Sequence, residues 1–137
     1  MVKLIMGLKG SGKTKKLVEL VKKAVDEENG NVVCIEKDKD LTYDIPYTVR
    51  LIHASSYDIG SYDFLKGFLS GLHAGNYDIT HVFIDHFFKV LGETDDERVA
   101  DFLDWLEDFS VRENVKFTIC ATKDPDTVND RIKKYLA

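Results

Sequence analysis

Cysteine and proline are scarce in this chain of 137 residues, which has two of each. Two cysteines are too few to hold a structural zinc ion without histidine or carboxylate help. Cys34 and Cys120 each lie inside an apolar, strand-like run, where a free thiol behaves as a small buried hydrophobe. We therefore expect neither a disulfide framework nor a zinc-binding module.

Basic clusters and long apolar runs are also absent. The chain carries 19 Lys and Arg against 24 Asp and Glu, a net charge of −5, with no basic arm. Nothing in this charge pattern favours a nucleic-acid partner. No apolar run approaches the ~20 residues that a membrane-spanning helix needs, and the run at residues 4–6 is too short for the core of a signal peptide. We therefore predict a cytoplasmic protein with no membrane partner, folded as one domain over residues 1–137.

Apolar periodicity alternates along the chain between strand-like and helix-like segments. Strands are predicted at residues 2–6, 32–35, 47–52, 79–84 and 115–121. Helices are predicted to follow the first glycine-rich segment, Ser61, the capping pattern at residues 94–97, and Pro125, with the last one running to the C-terminus. Strands that alternate with helices predict an α/β fold. We expect a three-layer α/β/α sandwich around a mainly parallel five-stranded sheet.

The glycine-rich segment between the first strand and the first helix matches the pattern G-x-x-x-x-G-K-[ST]. In that pattern glycines let backbone N–H groups turn towards phosphate oxygens, and the N-terminus of the helix adds partial positive charge. The lysine neutralises the β- and γ-phosphates, and the hydroxyl after it is a Mg²⁺ ligand. The predicted phosphate-binding residues are Gly7, Lys9, Gly10, Ser11, Gly12, Lys13 and Thr14.

A second motif ends the fourth predicted strand, where the apolar run of residues 82–84 delivers Asp85. With both motifs, the chain resembles the P-loop NTPase superfamily, as Walker A at residues 7–14 and a Walker-B-like strand at residues 81–85. By that resemblance Thr14 and Asp85 would hold Mg²⁺. Within the superfamily the chain is most similar to the RecA-like and thymidine-kinase cores, and it also resembles small bacterial P-loop proteins. The RecA-like resemblance implies a strand between the two Walker strands and a sheet order of 5-1-4-3-2.

The general base that activates water is less evident from the sequence. RecA-like ATPases commonly place a glutamate directly after the Walker B aspartate, whereas His86 occupies that position here. A neutral imidazole can accept a proton near pH 7, so His86 is a candidate catalytic residue, and packing at the strand end is an equal alternative. Glu93, Asp95 and Asp96 also follow this strand, but capping of the next helix is the better interpretation for them.

Several further polar residues have weaker signals. Thr122 to Pro125 nearly matches a guanine-reading motif, which leaves Lys123 as a residue that could lie over a base. His53 and Asp58 lie in a loop expected beside the nucleotide. The acidic residues of the fourth helical segment favour a solvated face over a docking surface. These acidic residues are Asp101, Asp104, Glu107 and Asp108.

These observations predict a Mg²⁺-dependent protein that binds ATP or another nucleoside triphosphate. None of the four arginines lies in a recognisable lid, so we expect slow hydrolysis, with any arginine finger supplied by a second copy or another protein. Lys13, Asp85 and His86 are the predicted catalytic residues. The alternatives are a kinase of nucleoside type and a nucleotide sensor without catalysis. Thymidine kinase activity is disfavoured because the family's four-cysteine zinc ribbon is missing.

Overall fold

A computed structural model describes residues 1–92 and 94–137. The strands are β1 (Val2–Gly7), β2 (Asn31–Glu36), β3 (Arg50–His53), β4 (Ile79–Ile84) and β5 (Lys116–Thr122). The helices are α1 (Lys13–Glu27), α2 (Tyr62–Gly75), α3 (Phe87–Leu91), α4 (Asp96–Glu113) and α5 (Asp130–Lys133). Short 3-10 turns at Ala54–Tyr57 and Pro125–Thr127 complete the described elements. The protein is therefore α/β, as predicted.

The five strands form one all-parallel sheet in the order β1-β5-β4-β2-β3. The predicted order 5-1-4-3-2 is wrong. The edge strand is β1 rather than β5, β5 lies between β1 and β4, and β4 pairs with β2 rather than with β3. Alternating strands and helices dictate a parallel sheet, since each crossover must return the chain to the same edge, but they do not dictate which strands are neighbours. One strand, β5, separates β1 from β4.

Side chains alternate across the sheet and build a separate apolar core on each face. Leu17 and Val21 of α1 pack on one face with Cys34 and Phe83. On the other face, α2 and α4 cover β-strand residues such as Ile84. Helices therefore lie on both sides of the sheet, and α1 is the helix that covers the face to which Cys34 and Cys120 belong. Both cysteines are buried free thiols, as expected.

The ends of several helices differ from the predicted ones. Ser61 caps α2 by accepting a hydrogen bond from the Phe64 N–H at 3.1 Å, as expected. The cap of α4 is Asp95, which accepts from the N–H of Arg98 at 3.2 Å, one residue later than the capping pattern predicted. The short helix α3 was not predicted. It follows His86 directly because the left-handed backbone at that residue turns the chain out of β4 (φ 50°).

The predicted C-terminal helix is wrong in extent. After the 3-10 turn at Pro125, only Asp130–Lys133 is α-helical, capped by the Asn129 side chain. Beyond α5 the chain runs along the free edge of β1, where Leu4 donates its N–H to the Tyr135 carbonyl at 2.8 Å and Ala137 donates to the Leu4 carbonyl at 2.9 Å. Edge pairing satisfies backbone groups of β1 that a longer helix would leave without partners. No helix in the described ranges has the length and apolarity needed to cross a membrane.

Candidate functional site

The glycine-rich loop leaves β1 and enters α1 through two left-handed residues. Gly10 and Gly12 have φ values of 86° and 85°, which L side chains rarely adopt. Gly12 is the N-cap of α1 and has no side chain to satisfy the first-turn N–H groups, so these donors point into the loop. A Cβ on Gly7 would come within 2.6 Å of the Ser11 hydroxyl. Backbone conformation therefore favours glycine at Gly10 and Gly12, and the close approach of Ser11 favours it at Gly7.

Lys13 folds back over this loop from the first turn of α1. Its Nζ donates to the Leu8 carbonyl at 2.9 Å and lies 3.4 Å from the Ser11 hydroxyl. The ammonium is therefore held at the mouth of the loop, where it faces the same space as the first-turn N–H groups. The exposed Lys9 lies on the outer part of the loop. A hollow of about 500 Å³ adjoins the loop and is lined by residues that include Gly7, Gly12 and Lys13.

Asp85 lies beside this loop at the carboxyl end of β4. It is 2% exposed, and the Thr14 hydroxyl donates to its Oδ2 at 3.2 Å across 71 residues of chain. Its Oδ1 accepts the His86 N–H at 3.0 Å, and its own N–H donates to the Ile35 carbonyl at 2.9 Å. The structure thus brings together the two predicted Mg²⁺ ligands. A hydroxyl and a carboxylate are hard oxygen donors of the kind that Mg²⁺ takes alongside waters and phosphate.

These residues fit a bound divalent cation chemically. Asp85 is almost fully buried, and among the described residues no lysine or arginine lies within ion-pair distance of its carboxylate. A buried carboxylate with only a histidine within ion-pair distance is costly unless a cation or a proton compensates it. The described residues contain no group of three or more histidine, cysteine or carboxylate side chains that would hold a metal unaided. The ligand pair Thr14 and Asp85 accordingly suits a cation that brings its own phosphate and water ligands.

His86 stands next to the buried carboxylate in a strained conformation. Its backbone is left-handed, which is uncommon for a residue with a Cβ, and such strain tends to occur at functional sites. Its Nε2 lies 3.6 Å from Asp85 Oδ2, and its side chain is 30% exposed. The ring is therefore near the predicted metal ligand and open to solvent. This position suits a proton acceptor, and that role stays a prediction.

A buried carboxyl that sequence reasoning missed lies on the neighbouring strand. Glu36 ends β2 and is 2% exposed, and the pairing of Ile35 with Ile84 sets it beside Asp85 at the same sheet edge. It accepts the Leu41 N–H at 3.1 Å, and burial raises its pKa. One sequence signal could have identified Glu36. It is a charged residue directly after an apolar run, as Asp85 is after the run that ends at Ile84.

Lys123 and Arg131 are paired with carboxylates of α4. Lys123 donates to Asp96 Oδ1 at 2.9 Å, and this hydrogen bond is the main reason why the pKa of Asp96 is lowered. Its N–H meets the Gly7 carbonyl at 3.1 Å, so the residue is near the loop, but its ammonium is already paired. Arg131 donates to three carboxylates of α4, one of them Asp104 at 2.9 Å.

The acidic side of α4 is only partly a solvated face. Asp101 and Asp104 bind Arg131, Tyr135 donates to Asp104 at 2.6 Å, and Glu107 accepts the Val2 N–H at 3.1 Å. These contacts correct the expectation for this helix, because they fasten the C-terminal segment and the start of β1 to α4.

The remaining candidate residues are placed as follows. His53 lies 2.7 Å from the Asp38 carbonyl through its Nδ1, and Asp58 ends the following 3-10 turn in a left-handed conformation. Neither contacts the glycine loop through a hydrogen bond. Glu93 lies outside the described residues.

No family model matches the chain, and no curated protein matches it.

Proposed function

We propose that this protein binds a Mg²⁺–nucleoside triphosphate, with ATP as the default, and hydrolyses it slowly. The observation that carries the proposal is the 3.2 Å contact between Thr14 Oγ1 and Asp85 Oδ2 beside the glycine loop. A hydroxyl at the start of a helix and a buried carboxylate at a strand end, next to free backbone N–H groups, are the elements that a magnesium–phosphate complex requires.

The phosphate chain is the part of the ligand that the loop recognises best. The 15-residue helix α1 directs its uncapped N–H groups and the positive end of its dipole at the loop. Lys13 needs only to exchange the Leu8 carbonyl for a phosphate oxygen, because its Nζ already lies over the loop. Mg²⁺, when bound, would offset the negative charge of the phosphates. Thr14 and Asp85 are the protein residues that would hold it.

The sheet supports a P-loop NTPase assignment in one respect. A single strand, β5, separates the strand before the glycine loop from the strand that ends in Asp85. A strand between the two Walker strands is one feature that resemblance to the RecA-like group implies, although the order 5-1-4-3-2 expected with it, which sets β1 beside β4, is not observed. The support is topological and comes in addition to the local contacts of Asp85.

Water activation has two candidate bases, Glu36 and His86. Glu36 lies at the same edge as Asp85, and burial raises its pKa, which makes its carboxylate a stronger base. His86 is closer to Asp85 and more exposed. Arg131 is held by three carboxylates of α4. We infer slow turnover in the isolated chain, with stimulation by an arginine from another copy or from another protein.

Substitution of Lys13 tests nucleotide binding directly. We expect Lys13→Ala to lose the rise in melting temperature that Mg²⁺–ATP gives the unaltered protein, because bound ligand stabilises the native state. Lys22→Ala, at an exposed position on α1, is the matched control and should keep that rise. Equal ATP affinity in Lys13→Ala and in the control would contradict the proposal.

Product analysis separates hydrolysis from the two alternatives. Phosphate release in ATP and Mg²⁺ alone indicates the ATPase. ADP formation that depends on an added nucleoside indicates a kinase, and tight binding without either product indicates a sensor. We expect phosphate release well below the 1–100 s⁻¹ range that is typical of kinases. A purified monomer that turned over at tens per second would refute the slow-hydrolysis part of the proposal.

A further inference from the structure

A second and larger hollow, of about 940 Å³, extends from the outer edge of β1 onto the α1 face of the sheet and contains neither of the predicted metal ligands. Its floor is formed by strand residues, among them Lys3, Ile5 and Thr118. Its wall is one stripe of α1, with Lys16, Leu20 and Lys23 at helical spacing.

The hollow exists because of the path that α1 takes across the sheet. The buried side of α1 packs with residues of β2, β4 and β5, including Cys34, Phe83 and Cys120. The edge strand β1 therefore keeps part of its α1 face uncovered. Ile5 is only partly buried there, and Lys3 is exposed.

The inner end of the hollow is a hydrogen-bonded chain of three side chains. His81 Nδ1 lies 2.8 Å from Glu28 Oε2, and His81 Nε2 lies 2.8 Å from the Thr118 hydroxyl. The ring stacks on Phe83 with centroids 4.0 Å apart. Burial lowers the pKa of His81 and so disfavours its charged form. This end is consequently a rigid polar surface, since both ring nitrogens have partners.

The charges around the hollow are opposite to those of the protein as a whole. Four lysines line it, Lys3, Lys16, Lys23 and Lys116, against the two side-chain carboxylates of residues 27 and 28, and the terminal residues Met1 and Ala137 also line it. Glu28 is already bound to His81 and lies 3.6 Å from Lys116 Nζ. The whole chain carries a net charge of −5. A cationic rim over an apolar lining, in an acidic protein, favours a ligand that carries both an anionic group and an apolar body.

We propose that this hollow, which we call the α1 groove, binds a small amphipathic anion. The apolar body would lie against Ile5 and Leu20, and the carboxylate, phosphate or sulfonate group would meet Lys3 and Lys23. The volume is within the range of pockets that hold molecules of drug size. The groove contains neither Lys13 nor Asp85, but it shares Ile5, Met6 and Lys16 with the hollow beside the glycine loop.

A pair of fluorescent dyes with nearly the same apolar body tests the proposal. 1-Anilinonaphthalene-8-sulfonate carries the anion, and N-phenyl-1-naphthylamine lacks it. We expect the folded protein to bind the sulfonate dye more tightly. In the double variant Lys3→Gln/Lys23→Gln the affinity for the sulfonate dye should fall about tenfold, because two charge-assisted contacts are lost. The affinity for the neutral dye should change little. Both lysines are exposed, so the fold should persist, and an unchanged urea midpoint checks this.

The matched control removes the same charge elsewhere. Lys22→Gln/Lys133→Gln alters two exposed lysines that do not line the groove, and it should leave both dyes unaffected. Lys13→Ala should also retain sulfonate binding, which separates this site from the glycine loop. Displacement of the dye by decanoate or by decyl phosphate, and not by decanol, would support the proposal and identify the preferred anion. Equal sulfonate affinity in the groove variant and the control would overturn it, as would equal weakening of both dyes by the groove variant.

Discussion

Asp85→Asn is the substitution that most sharply tests the proposed metal site. The asparagine has nearly the same shape, and its Oδ1 can still accept the His86 N–H. Its amide can take the place of Oδ2 and donate to the Thr14 hydroxyl, which accepts as readily as it donates. The substitution thus removes a charge from a site that is 2% exposed without removing a hydrogen bond.

Two opposing terms set the stability of the ligand-free variant. An uncompensated buried carboxylate costs several kcal/mol through desolvation. The two hydrogen bonds to the carboxylate are charge-assisted, and each weakens by about 1 kcal/mol when its acceptor becomes neutral. The balance predicts an unchanged or higher free energy of unfolding, by about 1 kcal/mol. For a domain of this size, that gain raises the melting temperature by about 3–5 °C.

The ligand-bound protein should change in the opposite direction. At a ligand concentration of about 100 times Kd, binding stabilises the native state by about 2.7 kcal/mol. The share of this gain that depends on Mg²⁺ requires the Asp85 carboxylate. We therefore expect the variant to melt higher than the unaltered protein in EDTA and to gain nothing from Mg²⁺ in the presence of ATP.

Thermal melts in EDTA, Mg²⁺, ATP, and ATP with Mg²⁺ measure both effects. Asp26→Asn is the matched control, because Asp26 is an exposed carboxylate on α1, and it should change neither melt. A full Mg²⁺–ATP response in Asp85→Asn would refute the role of this carboxylate as a metal ligand. A ligand-free variant destabilised by more than about 2 kcal/mol would show that the buried charge is compensated in the native protein.

Three further predictions concern the candidate general base Glu36, the glycine-rich loop, and Asp104 of α4. Glu36→Gln should slow phosphate release by about 100-fold with Mg²⁺–ATP affinity nearly unchanged, as expected for a general base, whereas unaltered turnover would favour His86. In urea unfolding, Gly12→Ala should cost about 1–2 kcal/mol because its φ is 85°, and Gly71→Ala should gain about 1 kcal/mol because it adds a methyl group in open space within α2. Effects of the same sign would contradict this reasoning. Hydrogen bonds from Tyr135 and Arg131 lower the pKa of Asp104 from 3.8 to about 2. Its stabilisation is complete above about pH 4 and is lost as the pH falls towards 2, so the stability difference between the unaltered protein and Asp104→Asn should shrink over that window. A constant difference would exclude the shift.

Local patterns predicted the parts of the site that depend on neighbouring residues. The strand at residues 79–84 has the predicted bounds, and the glycine loop lies between a strand and a helix as expected. Thr14 and Asp85 each end one of the two motifs, and the resemblance to the P-loop NTPase superfamily, rather than the local patterns alone, implied that they would lie together.

Features that depend on contacts between distant segments were predicted less well. Strand order is set by contacts between segments that are far apart in the chain. The sequence of β2 contains no pattern that identifies β4 as its neighbour. The segment after Pro125 has apolar residues at helical spacing, yet its last residues pair with the edge of β1, a partner that periodicity does not encode. Glu36 was missed because its relation to Asp85 depends on the register of two strands.

The separation of the two apolar cores has a consequence for how a bound nucleotide would act. Among the described residues the two clusters lie on opposite faces of the sheet, so we expect that the α1 layer can open while α2 and α4 remain packed on the other face. Such partial opening costs less free energy than global unfolding. A ligand held between the first turn of α1 and Asp85 of β4 would fasten this layer to the sheet. Nucleotide binding would then lengthen the time for which the α1 layer stays packed on the sheet. A partner protein or a protease would detect this change even though the shape of the sheet stays the same.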